Sequence, residues 1–479
     1  MGVGLLSRLL HVNLKNKNFF NFGNVLNLRL GEKQGEAMMD LRRVASHAVF
    51  VILIISGVRA HSSNNKFRSI YSWKALEFAF TTPQARETAI ELGEFIPGKP
   101  LPIDVDTYRG NRTGSRIFVS IPRFQQGVPV TLGYVTNVVS SHDNPVIAPY
   151  PSWDWHRSGD CDGLISVWRM QIDRCGRLWV MDTGKIEENQ ICSPQLLVFS
   201  LETNQLLSRY RFPEDHVKES SLFVNPVVDV RGQFCQNTFV YVADVTGFGL
   251  IVYDHQKTRS WRINNNLFYP YPNYGTFSIK GEVFDLMDGV LGMALSPLKS
   301  NEDRTLYFHS LASRVESYVA TSVIRNFSLF HENPDGAARS FVSFKNERST
   351  QSAAEAMDKN GVMYFGLLSE LAIGCWNSRN YEYGDEFIER IAVNADTLQF
   401  PSGVKVITES DGHQQLWVIT VSFQRVMVGT LTPNETNFRI QAADINELVR
   451  GTKCDVASLN INAIRESATS GGSTVTFPQ

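Results

Sequence analysis

Seven side chains stand at corresponding stations of a repeating chain and carry groups that chemistry needs: Asp162, Asp182, Asn225, Asp244, Asp288, His309 and Phe400. Carboxylates, an imidazole and an aromatic ring gathered around one point suit a cationic aromatic amine. A carboxylate pairs with the ammonium, and the ring adds a cation–π contact of roughly 0.5–2 kcal/mol. Proton transfer at carbon is the other chemistry open to the set, with His309 or a desolvated Asp288 as a base titrating near neutrality. Asp at strand ends also has a purely structural use, accepting hydrogen bonds from turn N–H groups. His309, flanked by Tyr307 and Phe308, equally fits a packed position.

Other chemistries find no motif. The chain has no HExxH, no GxSxG elbow, no GxxxxGK loop and no CxxC pair, so zinc hydrolysis, acyl transfer and phosphoryl transfer lack their usual residues. Gly247-Phe248-Gly249 begins like a dinucleotide fingerprint, but no third glycine follows and the setting reads as a turn between strands. The expectation is a site without metal or cofactor. A formal net charge of -2 gives no electrostatic basis for nucleic-acid binding.

The elements that hold these residues follow from a period. An apolar-aromatic-apolar triplet centres on Phe118, Trp179, Tyr241, Tyr307, Tyr364 and Trp417, at intervals of 61, 62, 66, 57 and 53 residues. Turn signals precede several of them, such as Asp173-Arg174-Cys175-Gly176 and Asp358-Lys359-Asn360-Gly361. Apolar runs lie before the turns (ISVWRMQI from Ile165) and after the triplets (QLLVFSL from Gln195). Each unit therefore reads as four short strands, and about 60 residues hold four strands with their loops. Six such units close into an all-β, six-bladed β-propeller. The strand-like run Tyr71–Phe80 is left over before the first unit and is expected to pair with the last blade, hiding both open edges. Where inner strands begin and second strands end, the seven residues above would meet around the axis.

Six cysteines allow fifteen pairings. With each inner strand running from one face to the other, Cys175 and Cys235 fall in corresponding turns of neighbouring blades. Cys161 and Cys192 fall at the opposite face of a single blade. That leaves Cys375 with Cys454, tying the C-terminal segment to the fifth blade. Topology favours this set without excluding the others.

The oxidising compartment that disulfides need is signalled near the N-terminus. Residues 48–57 read AVFVILIISG, preceded by Arg42-Arg43 and followed by Val58-Arg59-Ala60, the layout of a secretory signal. Ten residues fall well short of the roughly 20 that span a bilayer as a helix. Met38 and Met39 would place this signal at the usual depth, so residues 1–37 read as an upstream extension or alternative start. The expected organisation is an extension and signal over 1–60, a propeller over 61–455 and a flexible tail over 456–479. The mature product would be secreted and free of the membrane. The triplets beginning at Asn111, Asn326 and Asn434 match glycosylation acceptors.

Several strings carry a family likeness: YSWKALEFAF (from Tyr71), GRLWVMDTG (from Gly176), YVADVTGFGLIVYD (from Tyr241), LSPLKS (from Leu295), RTLYFHSLAS (from Arg304), GCWN (from Gly374) and TNFRI (from Thr436). Over about Tyr71 to Cys454 the chain resembles the yellow and major royal jelly proteins of insects, and more closely the yellow branch. The resemblance implies a secreted six-bladed propeller acting in cuticle pigmentation or melanin metabolism, with a small catecholic or indolic ligand in its axial cavity. It leaves three roles open: an isomerase converting dopachrome, a non-catalytic binder of biogenic amines, and an extracellular structural or interaction protein.

Overall fold

The computed structural model describes residues 66–110, 114–380 and 382–456. The expected signal segment, the Asn111 acceptor and the tail from 457 onward lie outside the described residues. Within them the chain is a ring of six four-stranded antiparallel blades. From the axis outward, blade 1 holds Asp104–Gly110, Gly114–Ser120, Leu132–Val139 and Pro145–Pro149, and blade 2 holds Val167–Ile172, Arg177–Asp182, Gln195–Ser200 and Leu206–Arg211. Blade 3 holds Phe223–Val230, Thr238–Asp244, Gly249–Asp254 and Arg259–Asn264; blade 4 holds Val290–Leu295, Thr305–Ser310, Val315–Ala320 and Val342–Glu347. Blade 5 holds Glu355–Met357, Val362–Leu367, Ala372–Asn377 and Glu389–Val393. Blade 6 is built from Pro401–Thr408, Gln414–Val421 and Phe438–Asp444, and its outermost strand is Arg68–Trp73.

The triplets mark the second strand of every blade because that strand has neighbours on both edges and packs against a blade on either face. Phe118, Trp179, Tyr241 and Tyr364 are fully buried there. Three of the ring polar groups are satisfied by an Asp, and two of these Asp residues also hold the preceding turn. Trp179 Nε1 donates to Asp173 Oδ2 at 2.8 Å, Tyr241 OH to Asp229 Oδ2 at 3.0 Å, and Tyr364 OH to Asp358 Oδ2 at 3.0 Å. Asp173 and Asp358 meanwhile accept backbone N–H groups of their turns, including Arg177 N and Val362 N. The turn signal and the aromatic centre of the repeat are thus one hydrogen-bonded unit.

The run expected to form one closing strand divides into two. Arg68–Trp73 pairs antiparallel with Phe438–Asp444 of blade 6, whereas Glu77–Phe78 pairs parallel with Val146 and Ile147 of blade 1. The break falls at Lys74, whose N–H leaves the ladder and donates to Asn144 Oδ1 at 2.8 Å. Trp73 Nε1 reaches Pro145 O at 2.7 Å. The segment therefore staples the last blade to the first as well as completing the ring.

Disulfides join Cys161 to Cys192, Cys175 to Cys235 and Cys375 to Cys454. The first ties two loops of blade 2, the second links inner-strand turns of blades 2 and 3, and the third anchors the segment after helix Ile445–Val449 to blade 5. Asn326 and Asn434 are exposed. Among the described residues no helix is long and apolar enough to cross a membrane.

Candidate functional site

The inner strands of all six blades enclose an axial cavity of about 260 Å³. It runs from mid-axis toward the face where inner strands end, with Ile172, Leu295 and Met357 at that end of the lining. The opposite face, where the seven sequence candidates were expected to converge, is covered. A hairpin, Thr276–Ile279 with Glu282–Asp285, lies over it and stacks Phe277 on Phe284 at 5.2 Å. Phe284 meets Phe423 of blade 6 at 5.8 Å, and Phe423 meets Phe400 at 4.6 Å. Gln351, just before blade 5, donates to the carbonyls of Tyr274 and Thr276 at the foot of this hairpin.

That cover explains where the candidates go. Phe400 is buried in the apolar contact under the hairpin. Asp182 closes the start of its own blade, accepting from Ile165 N, Ser166 N, Gly184 N and Gln195 Nε2 at 2.7–3.0 Å. Asp244 does the same in blade 3 with Leu222 N, Gly247 N, Ser221 Oγ and Arg262 Nη1. Asp162 is exposed and paired with Arg211 at 2.8 Å. Asp288 is half-buried near the covered face; burial first, then the charge of Glu188, pushes its carboxyl up to about 6. None of these five lines the axial cavity. Asn225 does line the axial cavity, and its Nδ2 donates to Leu291 O at 2.8 Å. His309 stands directly behind the lining.

The charged groups on the cavity wall are Asp106, Arg169, Arg304, Glu355 and Lys405. Asp106 accepts Ile172 N and Thr107 N at 2.8 Å each, and burial pushes it up to about 6 while Lys405 pulls the other way. Lys405 Nζ is held by Asp104 Oδ2 at 3.2 Å and Met170 O at 2.8 Å. Arg304 is held by Asp229 Oδ1 at 3.0 Å and Ser296 O at 2.7 Å. Two groups are left without such partners. Glu355 is 5% exposed; its Oε1 has no partner, and its Oε2 has only His309 Nδ1, 3.2 Å away behind the lining. Arg169, on blade 2 and so across the ring from blade 5, has Asp104 Oδ1 as its nearest counter-charge at 3.9 Å.

Behind Glu355 lies a buried charge network. His309 Nδ1 sits 3.0 Å from Glu316 Oε2 and 3.2 Å from Glu355 Oε2, and Nε2 faces Ser352 O at 3.1 Å. A carbonyl only accepts, so Nε2 carries a hydrogen, and the two carboxylates favour a second on Nδ1. Burial and Arg348 press the imidazole down, but Glu316 and Glu355 outweigh them and hold it above the usual histidine value. Glu355 is raised above the ordinary carboxylic-acid value by burial and by Glu316, with His309 opposing. Arg348 Nη1 donates to Glu316 Oε2 at 2.7 Å and to Tyr383 OH at 2.9 Å. His309, Glu316 and Glu355 bring metal-capable atoms together. With Arg348 on the same Glu316 oxygen, two acids already face two cations, a balance that fits a shared proton better than a metal ion. Room for the ring comes from Gly292, where a Cβ would lie 2.2 Å from His309 Cε1.

The residues that reach the cavity had a signal in the sequence. Arg169 in VWRMQI and Lys405 in PSGVKVIT are charges inside inner strands rather than at strand ends, and Glu355 opens its short strand between Ala354 and Ala356. A charge placed mid-strand beside an axis needs a counter-charge or a ligand.

A closed ring of six blades with a charged axial cavity defines the class: a small-molecule-sized hub in a disulfide-bonded propeller. Residues 165–454, from the start of blade 2 to the last cysteine, match the family model described as Major royal jelly protein. The chain belongs to this family of yellow and major royal jelly proteins. It is 34% identical to the dopaminechrome tautomerase of Drosophila melanogaster, over 85% of this chain and 88% of that one. It is 34% identical to major royal jelly protein 9 of Apis mellifera, over 86% of this chain and 96% of the other. Identity to the yellow protein of Drosophila guanche is 32%, over 90% of this chain and 73% of its relative.

Proposed function

We propose that this is a secreted pigment-pathway protein that isomerises an aminochrome, an indoline-quinone formed from an oxidised catecholamine, to the dihydroxyindole in the axial cavity. One observation carries the reading: Glu355, a buried carboxylate whose Oε1 has no partner, faces the cavity, and Arg169, a guanidinium whose nearest counter-charge is 3.9 Å away, stands on the blade across the ring. In the isomerisation, saturated carbons of the five-membered ring lose protons and the quinone oxygens gain them, so no oxidant or reductant is consumed. Glu355 takes the proton from carbon, and Arg169 stabilises the negative charge that develops on oxygen. The cavity has room for one fused bicyclic ring, at the small end of ligand sites, which run to roughly 300–1,000 Å³. The relative named dopaminechrome tautomerase supports the reaction class. Three disulfides support export.

An amine carrier fits less well. The cavity mixes Arg169, Arg304 and Lys405 with its acids, and these cations oppose an ammonium. The test is loss of aminochrome colour above the spontaneous rate, measured on mature protein. Glu355→Gln, which keeps the shape and removes the base, is expected to lower kcat by about 10²–10⁴-fold. Full activity in that variant would remove Glu355 from the mechanism, and no activity in the unsubstituted protein would remove the reaction.

A further inference from the structure

Other fully buried arginines of the propeller each have several acceptors. Arg123 donates to the carbonyls of Val128, Leu164, Ile165, Pro129 and His156. Arg262 and Arg348 are each bound by three or more partners. Arg169 is equally buried, 4% exposed, yet among the described residues its guanidinium makes no hydrogen bond. Its single ion pair, at 3.9 Å, is beyond hydrogen-bond reach. Leaving such donors unmet is unfavourable unless something else meets them. The group lines the axial cavity, where Lys405 and Arg304 already have acids and carbonyls to hold.

We infer that Arg169 is the anchor of the axial cavity for a flat ring bearing two coplanar oxygens, so that ligands are recognised through their oxygens and not through an amine. A guanidinium presents paired N–H groups in a planar fork, and two oxygens side by side in one plane accept them together. The vicinal oxygens of a catechol or ortho-quinone have this shape, and so does a carboxylate on the ring. This rests on the proposed site and names what that site reads. Selection runs against simple amines with a lone hydroxyl, which offer nothing for the fork.

Calorimetry on the full mature chain separates the sources. 4-Methylcatechol carries vicinal oxygens with neither amine nor carboxylate, indole-2-carboxylate carries only the carboxylate, and tyramine carries an amine with one hydroxyl. At least one of the first two is expected to bind more tightly than tyramine. Its affinity should fall about ten- to hundredfold in Arg169→Lys, which keeps the charge and loses the fork. Preferential binding of the catechol assigns the fork to the ring oxygens, and of the carboxylate to an amino-acid-derived ring. Tyramine binding as tightly as both, binding unchanged in a folded Arg169→Lys protein, or no binding of either oxygen ligand overturns the inference. The ranking on the unsubstituted protein decides the matter even if the variant does not fold. Catechol binding without aminochrome turnover would refute the isomerase and leave the anchor standing; turnover indifferent to Arg169→Lys would do the reverse.

Discussion

Substituting His309→Gln preserves a side-chain donor toward the Ser352 carbonyl but removes the positive charge 3.2 Å from Glu355 Oε2. Two unit charges at that separation attract by about 5 kcal/mol at an effective dielectric constant near 20. The charge of Arg348, which also favours ionised Glu355, offsets part of this, so a loss of about 3 kcal/mol is expected. That raises the pKa of Glu355 further above the ordinary carboxylic-acid value. The working form of the base is the carboxylate, so activity falls as pH drops through this value. Raising it moves the acid limb of the pH–rate curve to higher pH. The assay is kcat/KM for aminochrome conversion from acid to alkaline pH in both proteins. Above the new limb the variant should approach the rate of the unsubstituted protein. A uniform loss at every pH, with the limb unmoved, would mean that His309 only packs the blade interface and that the electrostatic account of Glu355 is wrong.

Two further predictions concern stability. His156 is buried, accepts Thr131 N at Nδ1 and faces Tyr150 O with Nε2; burial, then the charge of Arg123, lowers its pKa to about 3. In the unfolded chain it takes a proton near the ordinary 6.5, so folded-state stability is intact above that pH and is lost as pH falls toward 3, by about 5 kcal/mol in all. Urea unfolding from pH 7 to 4 should show this slope, and His156→Gln should flatten it; an equal slope in both would refute the assignment. Removing Cys375–Cys454 by paired Ser substitutions opens a loop with a sequence separation of 79 and should cost about 4–5 kcal/mol on chain-entropy grounds. An unchanged urea midpoint would show that helix Ile445–Val449 holds the C-terminal segment without the bond.

The architecture was legible because it is repeated. A triplet on each second strand and an Asp turn before several of them are local patterns, and local hydrogen bonds such as Asp173 to Trp179 and Asp358 to Tyr364 enforce them. Closure by an N-terminal strand was legible too, since six units leave one strand over. Its division at Lys74 was not, because it depends on Asn144, 70 residues away. The candidate site was the least legible part. Asp182 and Asp244 have the residue type and station of ligand groups, yet backbone N–H groups within their own blades consume them. Phe400 meets Phe423 of its own blade, and Phe423 in turn meets Phe284 of a hairpin that is inserted between blades 3 and 4 and reaches across to blade 6.

What the amino-acid order determined alone is therefore the number of blades, their strand pattern and the elements that carry each polar residue, all matters of short range. Which charges converge was decided by ring closure. Arg169, Glu355 and Lys405 lie far apart along the chain and become neighbours of one cavity only when blades 2, 5 and 6 share an axis. Whether a carboxylate there is spent on a turn or left free for a ligand depends on partners that long-range packing supplies.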